Sequence, residues 1–195
     1  MKNPKIEMVF VEGNCAIDSF YIGKYPVTQG QWKAVMGNNP SYFKKGYDYP
    51  VETVSWTEAQ EFINLLNDIS CRRYRLPMEA EWEYAARGGN KSKGCEYSGS
   101  NNINDVAWYY YNIPSNNYGE SGYGTQPVGR KAPNELGIYD MSGNVYEWCQ
   151  DLYEESSRVL RGGSWRYIED FCRVANRNHF SSVNRNNFVG FRVVC

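Results

Sequence analysis

The stretch from Asn90 to Gly124 most constrains how this chain can fold. It is rich in Gly, Ser, Asn and Tyr, and only Val106 to Tyr109 has the pattern of an ordered element. A stretch of this length with little regular structure is uncommon in a compact domain unless it binds something or is tied down. We therefore expect it to contribute to a surface or to be held by the rest of the fold.

Regular elements are predicted on both sides of this stretch. Thr28–Gln31 and Thr57–Gln60 have capping-box spacing, and Pro77 and Gly88–Gly89 mark the start and end of a third helix. Together these patterns predict an α+β fold with helices early, short strands late and much irregular structure, in one domain over residues 1–195. Strand patterns lie at 8–11, 20–22, 159–161, 172–175 and 191–194.

Charge and hydropathy exclude several classes of protein. The 21 Lys+Arg residues balance 22 Asp+Glu residues, so the net charge of −1 gives no basis for nucleic-acid binding. No apolar run approaches the ~20 residues of a membrane helix, and no apolar stretch follows Met1–Pro4 as in a signal peptide. We expect a monomer with no transmembrane segment in this chain.

The aromatic content favours a fold with aromatic-lined surfaces, and the cysteine spacing argues against a cysteine metal site. Aromatic residues make up 16% of the chain, including 17 Tyr and 6 Trp, which favours strands and aromatic-lined surfaces over a helical bundle. No two cysteines have C-x-x-C spacing, which argues against a zinc ribbon or a thioredoxin-type site. Disulfides and buried free thiols are both compatible with Cys15, Cys71, Cys95, Cys149, Cys172 and Cys195.

Several long motifs resemble one family, that of the formylglycine-generating enzymes, also called sulfatase-modifying factors. The resemblance spans nearly the whole chain and implies a C-type-lectin-like fold. The motifs are residues 20–28 (FYIGKYPVT), 50–56 (PVETVSW), 74–89 (YRLPMEAEWEYAARGG), 137–148 (GIYDMSGNVYEW), 161–165 (RGGSW) and 190–192 (GFR).

The family's oxidase chemistry is not expected here. The enzymes that this chain resembles use two cysteines, five residues apart, after the Gly-Gly-Ser-aromatic motif. The matching positions are Tyr167 and Cys172, and a phenol cannot replace one thiolate of a copper-binding pair. His179 is the only histidine, which excludes a site with two imidazole ligands. We predict a protein that is not an enzyme, with a diverged oxidase using Cys172 as the alternative.

The segment Arg173–Arg192 has an unusual composition. It is saturated with Asn, and its other residues, apart from some fixed positions, are reachable by changing the adenines of an Asn codon. Lys, Glu, Gln, Met and Trp are not reachable in this way, and none of them occurs in the segment. This pattern resembles the variable proteins of diversity-generating retroelements, of the Treponema variable protein type. The resemblance implies a variable ligand-binding region over residues 161–192 and display at a cell surface.

The side chains predicted to contact the ligand are mostly Asn, Ser, His, Arg and aromatic residues. Rings give rigid contact area and small polar groups give adaptable hydrogen bonds, as in antibody loops. The expected partner is a protein or another cell-surface molecule. The predicted scaffold positions are Gly162, Gly163, Trp165, Cys172, Val174, Gly190 and Phe191. The predicted ligand-contacting residues are Arg166, Tyr167, Asp170, Phe171, Asn176, Asn178, His179, Phe180, Ser181, Asn184, Asn186, Asn187 and Phe188.

Calcium is the one metal for which the resemblance supplies residues. Family members ligate Ca²⁺ through positions matching Asp140, Gly143, Val145 and Glu147, and hard cations prefer such oxygen donors. A structural salt bridge in the same turn is the equal alternative, so no cofactor is required. Calcium-dependent carbohydrate binding is a further alternative function, although Gln126-Pro127-Val128 departs from the usual lectin motif.

Other candidate groups have structural interpretations. Glu79, Glu81 and Glu83 are expected to be solvated or to stabilise a helix dipole, because residues two apart do not face each other on a helix. A surface or contact role is favoured for His179 over a general base. Core positions with satisfied indole N–H groups are favoured for Trp56, Trp82, Trp108, Trp148 and Trp165.

Overall fold

The computed structural model describes residues 3–195 and confirms the α+β fold. None of the helices in this range is long and apolar enough to span a membrane. The helices are α1 (Gln29–Met36), α2 (Trp56–Ile69), α3 (Glu79–Ala86) and α4 (Ile103–Val106). The strands are β1 (Met8–Val11), β2 (Phe20–Gly23), β3 (Tyr146–Glu154), β4 (Ser157–Arg161), β5 (Arg177–Ser181) and β6 (Val189–Gly190).

The first two helices begin at side-chain caps. The α1 cap is the predicted capping box of Thr28 and Gln31. The start predicted for α2 at Thr57 is wrong by two residues, because Ser55 is the cap and its box partner is Glu58. Both boxes satisfy backbone N–H groups that a helix start leaves unpaired.

The main sheet brings the two ends of the carboxyl-terminal segment together. Its strand order is β5-β4-β3-β6, with β3 antiparallel to β4 and parallel to β6. Glu147 on β3 pairs with Arg161 on one side and with Gly190 on the other. We call residues 161–192 the C-terminal segment. It begins at the end of β4, on one side of Glu147, and ends just after β6, on the other side.

Two of the predicted strands form other structures. Residues 172–175 lie in a 3-10 turn (Glu169–Cys172) and the bend that follows it, because the Arg161 guanidinium holds the carbonyls of Val174 and Asn176. Residues 191–194 form no strand, and only Val194 makes isolated bridges, to Ile22 and Arg75.

The tryptophans lie mainly in the core, as predicted. The indole N–H groups of Trp56, Trp82, Trp148 and Trp165 all donate hydrogen bonds, three of them to backbone carbonyls. Trp108 is the exception, since its buried Nε1 has no hydrogen-bond partner among the described residues. This indole instead lies beneath Lys131, whose Nζ is 4.2 Å from the ring centroid.

The irregular stretch 90–124 is tied to the rest of the fold. The Trp108 carbonyl accepts from the Asn144 N–H at 2.8 Å, and the Tyr110 N–H donates to the Tyr167 carbonyl at 3.0 Å. The loop thus packs beside the C-terminal segment. All six cysteines are free thiols in this structure, with Cys149 and Cys172 buried.

Candidate binding face

The C-terminal segment begins with a buried anchor. Arg161 is fully buried, and its Nη atoms lie 2.7 Å from carboxylate oxygens of Glu79 and Glu83. The same guanidinium donates to the carbonyls of Asn176 at 2.9 Å and Val174 at 2.6 Å. One arginine therefore joins α3 to the middle of the segment.

Four further arginines fasten the segment to carboxylates outside it. These ion pairs span both exposed and fully buried positions, and they satisfy charges at regular intervals along an otherwise irregular chain. The pairs are Arg173 with Glu96, Arg177 with Glu79, Arg185 with Glu58 and Arg192 with Glu147.

Most of the predicted contact residues are accessible. Arg166, Asp170, Phe171 and Asn184 are exposed, and eight others are half-buried. All seven predicted scaffold positions are buried. We call the twelve accessible residues the binding face; the half-buried members are Tyr167, Asn176, Asn178, His179, Phe180, Ser181, Asn186 and Asn187.

The prediction that Phe188 contacts ligand is wrong. Its side chain is only 6% exposed and belongs to the main core. The ring packs under Tyr167 and Phe180, with centroids 5.6 and 6.0 Å away. Its backbone explains the placement, since the Phe188 carbonyl accepts from Tyr146 N–H at the entry to β6 and draws the side chain inward.

The floor beneath the binding face includes a residue that the sequence analysis assigned only to a scaffold motif. Tyr146 is fully buried, with its ring 5.4 Å from that of Tyr167. Its hydroxyl has no hydrogen-bond partner among the described residues, and burial raises the pKa of this phenol. The floor is therefore aromatic, with one unsatisfied hydroxyl.

An exposed aromatic rim adjoins the binding face. Tyr111 is 63% exposed and Tyr110 43% exposed, and their rings are 5.1 Å apart. The backbone hydrogen bond from Tyr110 to Tyr167 holds this rim beside the C-terminal segment. Sequence reasoning did not name these residues, although the run of tyrosines at 109–111 within an irregular stretch was the available signal.

The Cys172 thiol is placed for packing. It is fully buried, and burial raises its pKa to about 12. A Cβ atom at Gly163 would lie only 2.7 Å from its Sγ, so the backbone closes over the sulfur. A thiol must ionise to act as a nucleophile or copper ligand, and this environment opposes ionisation.

We expect native Cys172 to resist alkylation by iodoacetamide at pH 8, because its thiol is buried and protonated. Cys15 and Cys71, which are exposed, should react within minutes under the same conditions. Peptide mass spectrometry after labelling in the absence and presence of 6 M guanidinium chloride measures the alkylation of Cys172 and of the two exposed cysteines. Rapid native labelling of Cys172 would contradict the assignment and revive the oxidase alternative.

The predicted calcium residues form an ion-paired turn. Both Glu147 carboxylate oxygens accept from Arg192 at 2.7 Å, and one also accepts from the Trp82 indole. Burial raises the pKa of Asp140 to about 6. The Glu147 contacts are those of the salt-bridge alternative, and calcium at this turn stays a prediction.

The two Asp140 oxygens have different surroundings. Oδ2 accepts from the Gly129 N–H at 2.7 Å, while Oδ1 is buried without a partner. Gly143, at φ +77°, donates its N–H to the Gly162 carbonyl and serves the turn. Within residues 3–195, no group of three or more His, Cys, Asp or Glu side chains is arranged to hold a metal ion.

The helix carboxylates, expected to be solvated or to stabilise the helix dipole, are paired with arginines, and Glu79 and Glu81 lie in the first turn of α3 as the dipole role requires. Glu79 bonds Arg161 and Arg177, Glu83 bonds Arg161 and Arg87, and Glu81 bonds Arg75. The His179 ring stacks on that of Tyr153, with centroids 4.0 Å apart. These contacts join β5 to α3 through Glu79 and Arg177, and to β3 through Tyr153 and His179.

A C-type-lectin-like domain with one buried thiol and an ion-paired turn is the class that this fold and site define. The chain belongs to the family of the sulfatase-modifying factor enzyme 1-like domain, whose model matches residues 5–195. It is 37% identical to the chaperone protein LppX of Paenibacillus barcinonensis, over 95% of this chain and 83% of that protein.

Other relatives are named as inactive or as active formylglycine-generating enzymes. The chain is 34% identical to the inactive C-alpha-formylglycine-generating enzyme 2 of Bos taurus, over 86% of this chain and 56% of that protein. It is 33% identical to the formylglycine-generating enzyme of Thermomonospora curvata, over 83% of this chain and 60% of that one. The chain thus spans less than two thirds of these two relatives.

Solved structures include variable proteins. Treponema denticola variable protein 1 superposes with a TM-score of 0.76 and 29% identity, over 100% of this chain and 93% of that one. The U1 variant of the major tropism determinant superposes with a TM-score of 0.53 over 90% of this chain and 50% of that one; at 14% identity it shows a shared fold alone.

Proposed function

We propose that this chain is a non-enzymatic ligand-binding protein that presents a diversified surface to a protein or other cell-surface partner. The observation that carries the proposal is that different residues of the C-terminal segment anchor its backbone and form the binding face. Arg161 and four further arginines hold its backbone to scaffold carboxylates, and none of these five belongs to the binding face. Side chains of the binding face can therefore change without removing an anchor.

The chemistry of the binding face suits a macromolecular partner. Exposed Phe171 and half-buried Tyr167 and Phe180 supply rigid apolar area, and six Asn and Ser side chains supply adaptable donors and acceptors. The binding face consists of exposed and half-buried side chains, and five cavities of the described chain are lined by residues outside 161–192. Open surfaces of this kind match protein partners better than small molecules.

Two comparisons support the proposal. The similarity to Treponema denticola variable protein 1 covers the whole chain, including residues 161–192. The composition of residues 173–192 is compatible with adenine-directed change of Asn codons. Display at a cell surface is part of the proposal and follows from the same resemblance. The buried thiol of Cys172 and the phenol at position 167 argue against the oxidase alternative.

A library experiment tests whether the binding face is free to vary. The twelve codons of the binding face are replaced by Asn codons with randomised adenines, and the library is displayed on yeast and selected against hen egg-white lysozyme. We expect members changed at exposed positions to remain folded, because surface side chains contribute within about ±0.5 kcal/mol each. Changes at Tyr167 or Phe180, which pack against the core, should cost more. We also expect binders whose sequences differ only at these positions.

A matched library controls for the number of changes. It randomises twelve exposed positions outside residues 90–192 in the same way and should give no comparable enrichment. Widespread unfolding of the binding-face library would show that these side chains hold the fold. Equal enrichment from both libraries would show that the binding face has no special capacity to bind.

A further inference from the structure

A second surface, lined by residues outside the C-terminal segment, has the form of a binding groove. Two cavities of about 290 and 370 Å³ adjoin each other and share Lys44 and Lys45. We call their combined lining the lysine–tyrosine groove. The first cavity is also lined by Tyr42, Phe43, Tyr118, Gly119, Glu120 and Tyr123, and the second by Gln29, Lys33, Asn39, Gly46 and Tyr47.

Buried contacts fix the shape of this groove. Gln29 is only 1% exposed, and its side chain donates to the Phe43 carbonyl at 2.9 Å and accepts from Asn39 at 2.8 Å. The Phe43 ring packs edge-on against Trp165, with centroids 5.4 Å apart. Lys45 donates to the Tyr123 carbonyl and so joins the two walls. The groove is therefore preformed, as ligand sites usually are.

The groove is cationic although the chain as a whole is not. Lys33, Lys44 and Lys45 form no ion pair with any described carboxylate. Burial lowers the pKa of Lys45, and the charge of nearby Glu52 offsets only part of this effect. The one carboxylate on the wall, Glu120, accepts from Ser115 and Asn117.

Neighbouring acids outside the lining are engaged elsewhere. The buried Glu52 carboxylate accepts from the Phe43 N–H and the Thr53 hydroxyl. Asp48, next to Tyr47, lies 3.6 Å from Arg130. The three lysines of the lining outnumber its one carboxylate, Glu120, so the groove carries a small net positive charge.

Three tyrosines in this groove are unusually exposed. Tyr118 is 75%, Tyr47 66% and Tyr42 50% exposed. The Lys33 Nζ lies 5.5 Å from the Tyr47 ring centroid, and the hydroxyls of Tyr42 and Tyr118 hydrogen-bond to each other. Each ring offers an apolar face and a polar edge beside a cation. Sugar rings have the complementary form, with apolar faces and polar edges.

We propose that the lysine–tyrosine groove binds an acidic oligosaccharide, carrying uronate or sulfate groups, without a metal ion. Lysine is a mobile point charge that accepts anions in many orientations, whereas a planar, bidentate site would use arginine. The site goes beyond the proposed function, because no groove residue belongs to the binding face.

Calorimetric titration of the whole chain with a heparin-derived hexasaccharide in 50 mM NaCl and EDTA tests the proposal. We expect saturable binding that weakens at least fivefold in 300 mM NaCl, since salt screens exposed charges. The double variant Lys33→Ala/Lys44→Ala should bind about tenfold more weakly. Lys91→Ala/Lys93→Ala, which removes the same charge from exposed positions outside the groove, should bind like the wild type. Tyr118→Ala should weaken binding without destabilising the fold.

Several outcomes would overturn the proposal. These are no measurable binding, equal weakening in both double variants, or equal affinity for neutral maltohexaose. Tighter binding of an oligothymidylate of the same charge would assign the groove to nucleic acid instead. The lysozyme-selected library changes none of the groove positions. Failure of the groove proposal and failure of the proposed function can therefore be told apart.

Discussion

Glu147→Gln is expected to lower the free energy of unfolding by about 3–5 kcal/mol, which is the usual effect of breaking a buried ion pair from one side. The side chains of Glu147 and Arg192 are both fully buried. Glutamine keeps the shape but removes the charge and replaces one acceptor oxygen by an NH2 donor, so the guanidinium keeps the carbonyls of Gly23 and Tyr139 and one amide oxygen as acceptors. Urea denaturation followed by tryptophan fluorescence at pH 7 measures the change.

The control for this variant is Glu7→Gln. Glu7 pairs with Lys24 at 3.4 Å, but both side chains are substantially exposed, and such pairs contribute little. We expect its midpoint to match that of the wild type. If Glu147→Gln were as stable as this control, the buried pair would not be needed for the fold. Stabilisation of Glu147→Gln by added Ca²⁺ would likewise contradict the ion-paired assignment of the turn.

Arg161→Met is the second change with a large expected effect, also about 3–5 kcal/mol. Methionine can fill part of the space, but it leaves two carboxylates of α3 without their shared cation. It also releases the carbonyls of Val174 and Asn176. Relative to the wild type, we expect the variant's amide hydrogen exchange to increase more in residues 173–181 than in α2. Arg130→Met, at an exposed pair with Asp48, is the matched control.

The Arg161 variant also has a predictable pH dependence. Burial alone would raise the pKa values of Glu79 and Glu83, but bonds and charges from the arginines outweigh it and lower both. A lowered folded pKa gives stability above the unfolded value of ~4.3 that is lost as pH falls through the folded value. The stability difference between wild type and Arg161→Met should therefore shrink below about pH 4. A constant difference would show that packing, not charge, accounts for the effect.

Local patterns predicted the elements better than they predicted the pairing of charges. The capping box at Thr28 and the helix end at Gly88 depend on neighbours in sequence, and the sequence located both. Glu79 and Arg177 are far apart in the chain and meet only in the folded sheet, so no spacing rule pairs them. The carboxylates of α3 were consequently interpreted as solvated.

The residues of the candidate site were likewise predicted only in part. Composition located the accessible positions of the C-terminal segment, because Asn, Ser and charged residues seldom become fully buried. Phe188 was misplaced because a ring has no compositional signature that separates a contact from a core position. Tyr110 and Tyr146 were missed because only the fold brings their loop and strand next to Tyr167.

Glu147 pairs with Arg161 on one side and Gly190 on the other, so the gap between the two junctions is only two strand spacings, roughly 10 Å. Because the ends are held so close together, loops between the buried positions of the segment can change in length without moving its junctions. We expect such a loop to lengthen at a loop-closure penalty of about 0.6 kcal/mol for each doubling. Insertions and deletions, as well as substitutions, would then widen the range of shapes that one architecture can present.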